Sequence, residues 1–182
     1  AQTDDSVAIT FDVPADLAEA FAFEAGQSLT VRRSVDEVEH RRSYSICAPA
    51  GAAPRIGVRE VPGGVVSSWL VHGVRPGDVV EVGPPTGSFR ATPGPGRHLC
   101  IAAGSGITPM MSMTTWMFDM GRPADLVFVN CARRPSEIIF RKRLEHMASR
   151  FPEIDLKFVV EEGDRFQPWT GYQGIFNQLM LG

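Results

Sequence analysis

The sequence predicts β followed by α/β: a small antiparallel β-barrel or sandwich, then a parallel sheet with helices. Three observations carry this. Before residue 91 the apolar residues fall in several short strand-like runs at close spacing, with gaps too short for the crossover helices that parallel pairing needs. Ala91-Thr92-Pro93-Gly94-Pro95-Gly96 then has the composition of a linker. Beyond it strand and helix patterns alternate, which means right-handed βαβ units. No internal repeat is visible, so the two parts are different folds. The expected domains are 1–91 and 97–182.

Taken in order, Ser6 to Val13 alternates Val7, Ile9, Phe11 and Val13 against Ala8, Thr10 and Asp12, a half-buried strand stopped by Pro14. Asp16 to Phe23 has room for a helical turn before Gly26. Gln27–Arg33 is a second strand, and a charged bend from Ser34 to His40 leads into a third, Arg41–Cys47, which Ala48-Pro49-Ala50-Gly51 ends. Further strands are expected at Arg55–Val61 and Asp78–Val82. In the second part His98–Ala103, Leu126–Cys131 and Leu156–Glu161 read as strands. Ile107–Met120, Ser136–Ser149 and Tyr172–Leu181 read as helices.

Composition removes several functional classes. Hydrophobic content of 43% and charged content of 21% describe a soluble globular chain with a sizeable core. A net charge of −3 gives no reason to expect nucleic acid or an anionic membrane as partner. Apolar stretches are strand-sized, far below the roughly 20 residues of a membrane span. The opening Ala1-Gln2-Thr3-Asp4-Asp5 is too polar for a signal peptide. Cys47, Cys100 and Cys131 are widely spaced without a CxxC pair. That argues against a disulfide framework, a zinc site and a four-cysteine iron–sulfur cluster within the chain, and for the cytoplasm. No metal site is expected.

Three stretches carry candidate chemistry. Arg41-Arg42-Ser43-Tyr44-Ser45 puts a cation, a phenol ring and a small hydroxyl within a few residues of one strand. A flavin needs a charge for phosphate, a flat surface for its ring and a small polar contact at its reactive edge. An ordinary amphipathic strand with one solvated arginine has the same look, and the downstream glycine site tips the balance. Gly63-Gly64-Val65-Val66-Ser67-Ser68 is a glycine turn opening a short helix, with Ser67 a natural N-cap. It offers N–H groups to a phosphate, or is a bare cap.

Ala103-Gly104-Ser105-Gly106-Ile107-Thr108-Pro109 follows a buried strand and opens a long helix. Its glycines allow close approach of a ligand, and its proline fits the first turn. The carboxyl end of a parallel strand is where such sheets bind ligands, although the stretch is neither a GxGxxG nor a P-loop and a generic turn also fits. At the next such edge Arg133 and Arg134 offer a 2′-phosphate or adenine contact, or are solvated charge. The methionines from Met110 to Met120 read as helix core. The four histidines show no partner spacing, and neither G-x-S-x-G nor H-E-x-x-H occurs.

With these residues in place the chain resembles the ferredoxin–NADP reductase-like superfamily. Within it, the chain is similar to the reductase subunit of the phenylacetyl-CoA epoxidase type and related bacterial oxygenase reductases. The carrying segments are Arg42-Ser43-Tyr44-Ser45, Gly64-Val65-Val66-Ser67, Gly83-Pro84-Pro85-Thr86-Gly87-Ser88-Phe89 and Gly104-Ser105-Gly106-Ile107-Thr108-Pro109. Ile138-Ile139-Phe140-Arg141 and Trp169-Thr170-Gly171 also fit.

The resemblance implies a flavin-binding antiparallel barrel and a parallel nucleotide domain. It implies FAD and NADPH or NADH as cofactors, and hydride transfer to flavin followed by single-electron release to an iron–sulfur centre serving an oxygenase. Arg42, with Ser43 beside it, would serve the flavin pyrophosphate, Tyr44 its ring and Ser45 its N5 edge, while Gly64, Val65, Val66 and Ser67 would hold phosphate. Gly104, Ser105, Gly106, Ile107, Thr108 and Pro109 would shape the pyridine-nucleotide site, with Ser45 and Thr108 as the catalytic pair. The implied partner is an oxygenase component or a ferredoxin-type acceptor. A stand-alone ferredoxin or flavin reductase, or a flavin-binding module without turnover, are the alternatives. Family members continue with a strand ending in a Cys-Gly-Pro-like motif, and the oxygenase reductases carry a 2Fe–2S domain. Neither is in this sequence, so the chain is expected to be a fragment with its nucleotide domain truncated.

Overall fold

The computed structural model describes residues 2–90, 96–119, 125–164 and 168–181. All of the expected linker except Gly96 lies outside them, as does Met120. The chain divides into two compact units, Ala1–Thr92 with Thr108–Met120, and Pro93–Ile107 with Gly121–Gly182. Thr108–Met120 therefore groups with the first unit although it lies in the second part of the sequence.

The first unit is antiparallel. β1 (Ser6–Thr10) pairs with β4 (Arg55–Arg59), and β2 (Ser28–Val35) lies between β3 (Val38–Ser45) and β5 (Glu81–Val82). An Ile46–Ile56 bridge and the Cys47 N–H bond to the Arg55 carbonyl at 2.7 Å join the two sheets. The core gathers Leu29, Val31, Ile46, Ile56, Val58, Val66 and Leu70, with Val7, Ile9 and Phe11 packed on it as their alternation predicts.

The charged bend before β3 is a two-residue hairpin. Asp36 and Glu37 take φ of 50° and 62°, the paired positive values that match the twist of the flanking strands. Between β4 and β5, Val65–Ser68 forms α1, which runs on as a π-type turn over Trp69–Gly73. Its N-cap is Gly64, not Ser67 as expected. The Ser67 hydroxyl instead sits inside the turn and accepts the Val61 N–H at 3.1 Å.

The second unit is parallel, in the order β6 (Arg97–Ala103), β7 (Asp125–Ala132), β8 (Ile154–Val160), β9 (Tyr172–Gln173). Helix α2 (Ile107–Asp119) begins directly after a 3-10 turn over Gly104–Gly106. Two expectations need correction. The helix from Ser136 is broken: a 3-10 turn at Pro135–Glu137 is followed by Phe140 at φ 58°, and α3 spans only Arg141–Arg150. Ile138, Ile139 and Phe140 are all buried, and three consecutive residues cannot share one face of a helix, so the chain leaves helical geometry there.

The stretch from Tyr172 is not a helix either. Tyr172 and Gln173 pair with Val159 and Val160, between Gly171 and Gly174 (φ 113°), and only Gln178–Leu181 turns, as 3-10. Among the described residues no helix is long and apolar enough to cross a membrane.

Candidate functional site

In the first unit the site grows from the β2–β3 register. Leu29 lies opposite Tyr44 and Val31 opposite Arg42, so both β3 residues share the face of two fully buried core residues. Tyr44 is half-buried on that core, and Arg42 stands exposed at the outer end of the same face. Burial pushes the Tyr44 phenol above its ordinary value, against a smaller opposing pull from the Arg42 charge. The ring is therefore neutral at working pH.

Arg42 makes no ion pair among the described residues, and its Nη1 donates to the Arg41 carbonyl at 2.7 Å. Its neighbour Arg41 points the other way and is tied to Glu39 at 2.5 Å. Ser43 also faces away, with its hydroxyl 3.0 Å from that of Thr30, and Ser45 ends the strand opposite Ser28.

Helix α1 packs beside β2 and β3, with Val66 in the shared core. Arg33, two residues beyond Val31, donates from Nη1 to the Val65 carbonyl at 2.9 Å and lies 4.8 Å from the centre of the Trp69 ring. Sequence reasoning missed this brace, although Leu29, Val31 and Arg33 share one parity. Arg42, Tyr44 and the Gly64–Ser67 turn are thus on one side of one sheet. A guanidinium without a carboxylate, a flat neutral ring and a glycine-opened helix start fit a flavin diphosphate.

In the second unit Ala103 and Cys131 are in register, so the Gly104–Gly106 turn and Arg133–Arg134 leave adjacent strands at one carboxyl edge. Gly104 has φ 51°, and nothing lies within 4 Å of where a side chain on Gly106 would begin. Ile107 is fully buried. Both arginines are exposed and paired: Arg133 Nε lies 3.6 Å from Glu137, and Arg134 Nη2 3.1 Å from Glu162. Cys131, just before them, has its thiol pushed up by burial and then by Glu161. Two of the sequence segments meet here, as the Arg141 guanidinium lies 5.4 Å from the centre of the Trp169 ring.

Thr108 and Pro109 belong to the first unit, where Thr108 is buried against Gly57 of β4. Gly57 and the Ser112 hydroxyl behind Thr108 carried no sequence signal: one is an isolated strand glycine, the other a serine in a methionine-rich helix.

Residues 3–91 match the family model described as the oxidoreductase FAD-binding domain, and residues 100–182 the oxidoreductase NAD-binding domain. The stachydrine N-demethylase reductase subunit of Rhizobium meliloti is 45% identical over 96% of this chain and 50% of its own length. A 1,2-phenylacetyl-CoA epoxidase subunit from Escherichia coli is 35% identical over 84% of this chain and 44% of its own length. The chain therefore spans about half the length of these curated relatives. The flavohaem-like FAD/NAD-binding domain of Vibrio cholerae nitric oxide dioxygenase superposes with a TM-score of 0.85 at 20% identity, over 98% of this chain and 76% of that one, a likeness of fold. The chain belongs to the ferredoxin–NADP reductase superfamily and carries its FAD-binding and NAD-binding oxidoreductase domains.

Proposed function

We propose that the protein is the flavin and pyridine-nucleotide part of an oxygenase reductase, taking electrons from NADH or NADPH. The observation that carries this is the convergence of Arg42, Tyr44 and the Gly64–Ser67 turn on one side of the β2–β3 sheet. When bound, FAD supplies the chemistry that links two-electron donation by a nicotinamide to one-electron delivery to an iron–sulfur centre. Arg42 and the N–H groups of Val65, Val66 and Ser67 hold the diphosphate. Tyr44 gives the ring system a flat surface, and Ser43 and Ser45 frame the strand at its polar edge. The turn Gly104, Ser105, Gly106 with Ile107 and Pro109 receives the nicotinamide nucleotide. Thr108, with Ser45, orients the reacting edge. Arg133 and Arg134 hold a 2′-phosphate by exchanging their partners Glu137 and Glu162, so both coenzymes are accepted.

The electron acceptor on this reading is an oxygenase component or its ferredoxin-type carrier. The 45% identity to an N-demethylase reductase subunit favours an N-demethylating oxygenase over the phenylacetyl-CoA epoxidase, which is the second reading at 35%. Steady-state oxidation of NADH and NADPH with an artificial one-electron acceptor tests the enzyme reading, expected to require FAD. An FAD-loaded chain without turnover would make it a flavin-binding module instead. Supplying each purified oxygenase in turn tests the partner, and coupling to neither would leave a stand-alone reductase.

A further inference from the structure

We propose that the β2–β3 face beyond Arg42 is an adenosine subsite, where Arg33, lying over Trp69, and His40 select FAD over FMN. The inference rests on the flavin part of the reading above.

β2 and β3 carry four arginines, and the strand pairing sorts them two to a face. Arg32 and Arg41 lie opposite each other on one face and are neutralised there, Arg32 by Glu39 and Glu81 and Arg41 by Glu39. Arg33 and Arg42 lie on the other face, and among the described residues neither pairs with a carboxylate. Opposite charges on neighbouring strands are the ordinary way to satisfy such residues. This sheet uses that device on one face and leaves both cations of the other without it, an arrangement suited to an anionic ligand.

The carboxylate-free face also has an order. Along β3 its residues are Tyr44, Arg42 and His40, about 7 Å apart at each step. FAD runs in the order ring, diphosphate, adenosine. With the ring at Tyr44 and the diphosphate at Arg42, the next step is His40, whose direct partner across the ladder is Arg33. FMN ends at its phosphate and has nothing to place there.

The groups at that step have the chemistry a nucleoside needs. The Arg33 guanidinium lies 4.8 Å from the centre of the Trp69 ring, and both side chains keep part of their surface open. A guanidinium supported by an indole is a platform on which a purine stacks. The bond from Arg33 Nη1 to the Val65 carbonyl at 2.9 Å holds that platform in place before a ligand arrives. His40 is half-buried and makes no side-chain hydrogen bond or ion pair among the described residues, so its ring nitrogens are left for ribose hydroxyls.

The test titrates wild type, Arg33→Ala and His40→Ala with FAD and, separately, with FMN, followed by flavin fluorescence. Wild type is expected to bind FAD at least about tenfold more tightly than FMN. Arg33→Ala is expected to lose about tenfold in affinity for FAD and His40→Ala about threefold, with FMN affinity held within about twofold. A mere brace of the Val65 turn would cost both flavins equally when removed, because both carry the phosphate placed at Arg42. Equal losses, or an unchanged FAD affinity in either variant, overturn the inference. If Arg33→Ala does not fold, or FMN binds too weakly to titrate, the FAD affinity of His40→Ala decides by itself, and its loss supports the subsite. A wild type that binds both flavins equally overturns the subsite alone, whereas one that binds neither overturns the flavin reading and the inference with it.

Discussion

Arg41 and Arg42 are adjacent, exposed and chemically identical, yet the register of β3 gives them opposite expectations. Arg42 lies on the Tyr44 face without a carboxylate, and Arg41 lies on the other face bound to Glu39. On the proposed placement of FAD, Arg42→Ala is expected to remove a charge-assisted contact to the diphosphate, about 1.5–3 kcal/mol. That weakens the Kd for FAD roughly 10- to 150-fold. Arg41→Ala removes only an exposed ion pair, and the Kd is expected to move less than about twofold. Titration followed by flavin fluorescence, at two ionic strengths, reads both. Salt is expected to weaken wild-type binding more than that of Arg42→Ala, because only the former has the charge to screen. Equal losses in the two variants, or no loss in Arg42→Ala, would refute the placement of the diphosphate on this face.

Ser67→Ala leaves the Val61 N–H without its acceptor, and chemical denaturation is expected to show about 1–3 kcal/mol of lost stability; an unchanged midpoint would contradict that. Replacing Arg133 and Arg134 together by Ala costs two exposed ion pairs of little worth and, on the proposed reading, one contact to the 2′-phosphate. The kcat/KM for NADPH is therefore expected to fall by about 1–2 kcal/mol, roughly 5- to 30-fold, more than that for NADH, and equal losses would remove both arginines from coenzyme choice. At Asp5 burial acts to raise the carboxyl, but the Thr3 hydroxyl and Arg59 outweigh it and hold the group below its ordinary value. Its contribution is thus present above the unfolded pKa and lost as pH falls through the lower folded one. Asp5→Asn is expected to flatten the acid limb of the stability curve below about pH 4, and an unaltered limb would count against the pairing.

The strands and α2 were legible because burial imposes a period. Val7, Ile9 and Phe11 alternate, the run Leu126–Cys131 is buried throughout apart from its end, and Gly104–Pro109 marks the strand-to-helix step. Local pattern is a weaker guide where it and tertiary contact disagree. Asp36-Glu37 lacks the Asn-Gly signature of a tight hairpin, yet the pairing of Val35 with Val38 forces one. Tyr172-Gln173 has too few residues to announce a strand, and is one because β8 offers an edge. Ser67 resembles a cap in sequence, but the chain at Val61 takes its oxygen. The Arg42–Tyr44 face was visible as spacing. Its brace Arg33 and the Ser112–Ala48 bond join residues too distant in sequence for any local pattern to connect.

The proposed reductase activity is tested most directly by the visible spectrum of the FAD-loaded chain under anaerobic conditions, before and after a stoichiometric addition of NADH or NADPH. The oxidised flavin absorption is expected to be present and to bleach on addition of either coenzyme. A chain that fails to retain FAD, or whose bound flavin is reduced by dithionite but by neither coenzyme, would contradict it.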